Sequence, residues 1–243
     1  MRLNRVYVDQ DLVAGQSLAL PPRPAQHLVQ VLRLRPGDRL LVFNGDGRDF
    51  PAQVLLTQRL GIQVRLETPG APEPESPLRI HLGIGITKGD RMDFALQKAV
   101  ELGVAAISPL FAGRAVVRLE GERLAKRLEH WRGVMIGACE QSGRRRLPTL
   151  DPAQPLEAWL RQGHPCPLLL DHRAGHSLPS LATPGPALTL LIGPEGGLEP
   201  AERELAYRAG FTGVSLGPRI LRAETAPLAA LAIVQALWGD LRG

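Results

Sequence analysis

The stretch from Leu188 to Thr225, LTLLIGPEGGLEPAERELAYRAGFTGVSLGPRILRAET, constrains the fold more than any other part of the chain. It opens on an apolar run, Leu188 to Ile192, with the length and composition of a buried strand. The run stops at Gly193-Pro194-Glu195-Gly196-Gly197, where glycine leaves little side chain to block a ligand and permits positive φ. Pro200, with acids at Glu199, Glu202 and Glu204, marks the start of a helix, and Gly210 marks its stop. Val214 to Leu216 reads as another short strand. It ends in a second loop, Gly217 to Thr225, which carries Arg219, Arg222 and Glu224. The unit is strand, glycine loop, helix, strand, glycine loop. In a parallel α/β sheet, loops at the carboxyl ends of strands are where ligands bind. A lone Gly-Pro loop is usually only a tight connection. Two such loops on consecutive strands point to a ligand site.

The chain before this unit divides at Thr68 to Pro77, where Pro69, Pro72, Pro74 and Pro77 exclude a regular helix or strand. The expected organisation is a domain over residues 1–70, a linker over 71–77 and a domain over 78–243. The first domain reads as short strands at Arg5–Val8, Ser17–Leu20, Arg39–Phe43, Phe50–Thr57 and Gly61–Glu67. One helix, Ala25 to Arg33, lies among them. This pattern predicts a small β-barrel. Arg2, Arg5, Arg23, Arg33 and Arg35 are its candidate phosphate contacts.

The second domain is predicted to be α/β. Leu78–Ile86, Ala105–Leu110 and Pro167–Asp171 read as buried strands. Asp90–Leu102, Glu122–Glu140, Asp151–Gly163 and Ala226–Leu241 read as helices. Gly83 and Gly85 lack the helix turn of a dinucleotide fingerprint, and no GxxxxGK[ST] loop is present. Lys88 stands at a strand end, and Glu101 reads as an ion-pair or capping residue. Glu140-Gln141-Ser142-Gly143 leads into Arg144-Arg145-Arg146, a candidate phosphate patch. His172 and His176 lack the constellation of a metal site.

Charge and cysteine content narrow the function classes. The formal net charge is +5, and of the 29 basic residues only Lys88, Lys98 and Lys126 are lysines. Arginine suits phosphate and base contacts, although a GC-rich genome produces the same bias. Cys139 and Cys166 lie far apart, with neither a disulfide framework nor zinc-ligand spacing. MRLNRVYVDQ lacks the apolar core of a signal peptide, and no apolar run approaches membrane-helix length. The expected location is the cytoplasm, with no membrane partner and no metal.

LLIGPEGG followed by LGPRILRAETA resembles the cofactor signature of the SPOUT class of methyltransferases. The nearest resemblance is to the bacterial family that methylates N3 of a uridine in 16S ribosomal RNA. His27–Arg33, Thr87–Asp93, Lys98–Gly103 and Glu140–Arg144 match that family as well, in order along the chain. The resemblance implies S-adenosylmethionine as methyl donor, a trefoil-knotted α/β domain, a PUA-like first domain and a homodimer. It implies a cofactor site at Leu170, Ile192, Gly193, Pro194, Glu195, Gly196, Gly197, Leu216, Gly217, Ile220, Leu221, Arg222, Thr225 and Ala226. Arg219, Arg222 and Glu224 become the catalytic candidates. Arg5, Arg23, Arg33, Lys88, Arg91, Gln141, Arg144 and Arg145 become the RNA contacts, with the small ribosomal subunit as partner. Two alternatives stay open on the residues alone. One is a SPOUT enzyme acting on a ribose 2′-hydroxyl or guanine N1. The other is a non-catalytic RNA-binding assembly factor, against which the two intact loops argue.

Overall fold

The computed structural model of this chain describes residues 3–58, 61–114 and 120–242, with the side chains of Arg23 and Gln58 outside that description. Two compact units emerge: Met1–Glu75 with Cys139–Leu147, and Ser76–Ala138 with Pro148–Gly243.

The first unit contains β1 (Arg5–Tyr7), β2 (Ser17–Ala19), α1 (Pro22–Gln30), β3 (Arg39–Phe43), β4 (Phe50–Gln58) and β5 (Gly61–Leu66). Its sheet runs β1-β3-β4-β5-β2. β1 is parallel to β3, and the other pairings are antiparallel. β1 and β2 are the two edges, and no pairing among the described residues closes this sheet into the barrel that the sequence predicts. Alternation along β5 turns Ile62, Val64 and Leu66 into a core shared with Leu40, Val42, Val54 and Leu28 of α1. α1 begins three residues earlier than its apolar spacing predicts. Pro22 and Pro24 sit in the first turn, where a missing N–H removes no helix bond.

The segment Cys139–Leu147 packs within this first unit, although the sequence reading assigns it to the second domain. Arg5 holds it. Its guanidinium donates to the carbonyls of Cys139 (2.6 Å) and Arg144 (3.0 Å) and to Asp49 (2.6 Å), and lies 4.4 Å from the Phe43 ring centroid. Only 3% of the Arg5 side chain is exposed, which leaves it little surface for the phosphate contact that the sequence suggests. A buried guanidinium is stable only with such acceptors. The Tyr7 N–H donates to Glu140 at 3.0 Å, and Glu73 accepts the N–H groups of Arg145 and Arg146. Burial pushes the Glu140 carboxyl up, and pushes the Cys139 thiol up to about 11.

The second unit holds β6 (Arg79–Gly85), α2 (Asp90–Glu101), β7 (Ala106–Phe111), α3 (Gly121–Ser142), β8 (Thr149–Leu150), β9 (Gln154–Pro155) and α4 (Leu156–Leu160). Then follow β10 (Pro167–Leu170), β11 (His176–Ser177), a 3₁₀ turn at Leu178–Ser180, β12 (Ala187–Ile192), α5 (Pro200–Arg208), β13 (Thr212–Ser215) and α6 (Thr225–Trp238). The last residues of α3, from Cys139, belong to the first unit. The sheet order is β11-β13-β10-β12-β6-β7-β8, with β9 also paired to β7, and every one of these pairings is parallel. A parallel sheet is covered on both faces, which explains the unbroken burial along β12 from Leu188 to Ile192. Trp159, Leu160, Ala206 and Phe211 pack with Leu110, Leu169 and Leu191 in one core cluster. α6 packs on α2, and the buried Gln235 amide donates to the Leu102 carbonyl at 2.9 Å.

Two helices of this unit are shorter than the sequence predicts. The helix predicted over Asp151–Gly163 is only α4, because residues 149–150 and 154–155 pair with β7 and Pro155 stands at the helix N-cap. The last helix stops at Trp238, where Gly239 caps it and Gln235 Oε1 accepts the Asp240 N–H. Among the described residues no helix is long and apolar enough to cross a membrane.

Candidate functional site

The parallel order places the carboxyl ends of β13, β10, β12 and β6 side by side. A cavity of about 250 Å³ opens there. Its floor is the end of β10 and β12, through Leu170 and Ile192. One wall is the loop Gly193-Pro194-Glu195-Gly196-Gly197, and the other is Leu216, Arg219, Ile220, Leu221, Ala223 and Ala226. An apolar floor rimmed by charged side chains, at the carboxyl edge of a parallel sheet, is suited to a small molecule that carries both apolar and charged parts.

Small residues build this slot. A Cβ on Gly85, at the end of β6, would overlap Pro194, so the first loop lies against bare backbone. A Cβ on Gly193 would come 3.0 Å from the Leu198 nitrogen, and one on Gly196 would come 3.0 Å from the Arg114 Cβ. Gly197 has φ +68°, a conformation that side chains resist. α5 then starts in a capping box, Glu199 with Glu202, which fixes where the first loop ends.

Charged groups ring the cavity. Arg114 donates to the Gly196 carbonyl at 3.0 Å. Asp171, 7% exposed, accepts the Tyr207 hydroxyl at 3.1 Å and the Arg173 N–H at 3.0 Å, with Arg203 Nε at 3.7 Å. Burial, then Asp171, pushes the Tyr207 hydroxyl up. Glu195 accepts the Lys88 N–H at 3.0 Å and faces Arg91 at 3.6 Å. Arg91 also faces Glu224, at 3.9 Å.

The structure brings together most of the residues expected at a cofactor site. Gly217, Arg222 and Thr225 are the exceptions: they are exposed and stand outside the cavity lining. Of the catalytic candidates, Arg219 lines the cavity, Arg222 is exposed nearby in sequence, and Glu224 is partly buried against Arg91. Arg114, Asp171, His172, Arg173, Leu198, Arg203 and Ala223 also line it, and sequence reasoning did not place them there. Asp171 carried one signal, an acid directly after a strand; Arg114 belongs to no motif.

The expected RNA contacts scatter. Arg33, Lys88 and Gln141 are exposed, and Arg33 has φ 54° just past α1. Arg91 is half exposed and turned toward two glutamates. Arg144 is partly buried, and Arg145 is held by Asp49 at 3.2 Å and the Ala71 carbonyl at 2.7 Å. Arg2 and the side chain of Arg23 lie outside the described residues.

Comparison with known proteins adds the family. The family described as RNA methyltransferase domain matches residues 74–235, and RNA methyltransferase PUA domain matches residues 24–67. The ribosomal RNA small subunit methyltransferase E of Buchnera aphidicola subsp. Schizaphis graminum is 32% identical over 242 residues, covering 99% of this chain and 98% of that protein. The ribosomal RNA small subunit methyltransferase E of Neisseria gonorrhoeae, solved with S-adenosyl methionine bound, is 39% identical. It aligns over 99% of this chain and 100% of its own, with a TM-score of 0.92. A Legionella pneumophila methyltransferase solved with the same cofactor is also 39% identical, over 99% and 100% of the two chains, with a TM-score of 0.96.

Proposed function

This chain belongs to the ribosomal RNA small subunit methyltransferase E family, and we propose that it transfers the methyl group of S-adenosylmethionine to N3 of a uridine in 16S ribosomal RNA. The observation that carries the reading is the glycine-walled cavity at the carboxyl edge of the sheet. Its composition fits the donor. Leu170, Ile192, Leu216, Ile220 and Leu221 offer apolar contact to a flat heterocycle, and the bare backbone of the first loop offers N–H and C=O groups at close range. Asp171 and Glu195 offer acceptors to hydroxyl and ammonium groups.

When bound, S-adenosylmethionine supplies a methyl group already activated on a sulfonium. The residues of the chain then have three tasks: to align the acceptor, to exclude water and to manage one proton. Uracil N3 has no free lone pair until its proton leaves. Arg219 at the cavity, with Arg222 three residues further along the same loop, stabilises negative charge growing on a uracil carbonyl oxygen. Glu224 is the nearest acid on the same loop and the candidate acceptor of the proton.

The finer features of the reading follow the same lines. The domain belongs to the SPOUT class with its trefoil knot, supported by the two loop motifs. The first unit binds RNA as a PUA-like module, with Arg33 and Arg35 exposed on it. The enzyme works as a cytoplasmic homodimer, supported by the partly exposed apolar residues Leu228, Ala229, Ala232, Ile233 and Leu237 on α6.

Gly196→Trp tests the site. The new side chain meets Arg114 and fills the cavity from its wall. The variant is expected to fold, to lose S-adenosylmethionine binding in calorimetry, and to stop labelling small ribosomal subunits with a radioactive methyl group. A folded variant that binds the donor at wild-type affinity contradicts the placement.

A further inference from the structure

We propose that Arg91 is a positioning residue that sets the spacing of the two cofactor loops by holding one glutamate from each. Glu195 belongs to the first loop and Glu224 to the second, and they are far apart in sequence. The Arg91 guanidinium lies between them, with Nη1 at 3.6 Å from Glu195 Oε1 and Nε at 3.9 Å from Glu224 Oε1. Arg91 itself is anchored on the first turn of α2. Glu195 Oε1 also accepts the Lys88 N–H at 3.0 Å, which ties the same corner to the loop between β6 and α2. Three chain segments therefore meet at one planar cation. A guanidinium can serve two carboxylates at once through its fork of donors, and an ammonium cannot do so in fixed geometry.

The other carboxylate oxygens complete the argument. Glu195 Oε2, Glu224 Oε2 and the nearby Thr87 Oγ1 are buried and have no hydrogen-bond partner among the described residues. Buried acceptors are normally satisfied. Of the two glutamates, Glu195 lines the cavity, and its second oxygen is the one left for an N–H donor brought by a ligand. The chemistry it suits is an ammonium or an imide N–H. The Arg91 side chain is 48% exposed, so each ion pair by itself is worth little. Its effect lies in geometry: two loops held at a set distance match one ligand. The family resemblance implies Arg91 as an RNA contact, and its orientation toward Glu195 and Glu224 assigns it to the cofactor side instead.

This inference rests on the reading of the cavity as the S-adenosylmethionine site. The experiment is calorimetric titration of the full chain with S-adenosylmethionine, without RNA, alongside melting temperature. Arg91→Ala is expected to weaken binding by about tenfold with little change in melting temperature. Arg91→Lys keeps the charge, loses the fork and is expected to recover only part of the affinity. In a Glu224→Gln background, Arg91→Ala is expected to add less than its effect alone, because the pair is already broken. Unchanged donor affinity in Arg91→Ala, with a raised KM for small ribosomal subunits, would overturn the proposal and restore Arg91 to the RNA surface. Full rescue by lysine would overturn the two-carboxylate bridge. A wild-type chain that binds no donor would instead overturn the site assignment itself. If Arg91→Ala fails to fold, Arg91→Lys and Glu224→Gln carry the same comparison.

Discussion

Gly83 and Gly85 stand two residues apart on β6 and do different jobs. A Cβ at Gly83 would run into the indole of Trp159, which is fully buried against the strand. A Cβ at Gly85 would run into Pro194 of the first glycine loop. Neither glycine forms part of a recognisable phosphate motif, so the sequence excluded one explanation without supplying another. The reason lies across the sheet, in residues about 75 to 110 positions away. The two substitutions should separate. Gly83→Ala is expected to destabilise by about 1–3 kcal/mol through overpacking, with donor affinity nearly intact. Gly85→Ala is expected to shift the loop and weaken donor binding by more than its loss of stability implies. Denaturant melts and calorimetry on both variants check this. Equal losses of affinity in the two would mean that the loop senses general strain on β6.

At the scale of elements, the amino-end half of the sheet is joined by a polar hub. Ser108 is fully buried on β7. It donates to Asp151 at 2.6 Å, accepts the Trp159 indole N–H at 3.1 Å, and lies 2.8 Å from His81 Nε2. His164 packs on Trp159 at 4.0 Å between ring centroids and bonds the Trp159 carbonyl at 2.9 Å. Burial lowers the pKa of His81, against the opposing pull of Asp151, and burial lowers that of His164. A histidine whose folded pKa is depressed is neutral in the fold and takes up a proton on unfolding. Its stabilisation is complete above the unfolded value of about 6.5 and is lost as pH falls from there toward the folded value. The melting temperature is therefore expected to decline as pH drops below about 6.5. The His81→Gln, His164→Gln double variant is expected to decline less steeply. Parallel slopes for the two proteins would remove the histidines from the account. This hub also shows why the Asp151–Gly163 helix misled. Apolar spacing at Leu156, Trp159 and Leu160 is genuine, but Pro152 and Pro155 divert the chain into short pairings with β7.

At the scale of the whole molecule, local signals were legible and long-range returns were not. Strand, glycine loop, helix and strand can be read from Leu188 to Ser215 because each is written in neighbouring residues. The return of Cys139–Leu147 to the first unit is written in Arg5, Tyr7 and Asp49, more than ninety positions earlier, so no window on the chain contains it. Arg5 looked like a surface cation for the same reason, because its partners are backbone carbonyls that no composition reveals. The cavity residues divide likewise: those on the two motif loops were readable, while Arg114 and Arg203 reach it through folding alone. The homodimer reading belongs to this scale. Sedimentation at assay concentration is expected to give twice the 26.3 kDa chain mass, and Ile233→Asp on α6 is expected to shift it toward the monomer. A wild-type chain that sediments as a monomer would contradict that reading.

The central claim is the reaction, and the product reports it directly. Nucleoside mass spectrometry of 16S ribosomal RNA would compare a strain lacking this gene with the same strain carrying it on a plasmid. The account predicts that N3-methyluridine disappears in the first and returns in the second, and that a plasmid encoding Gly196→Trp fails to restore it. Unchanged N3-methyluridine in the deletion strain, or the loss of a ribose or guanine methyl group in its place, would contradict it.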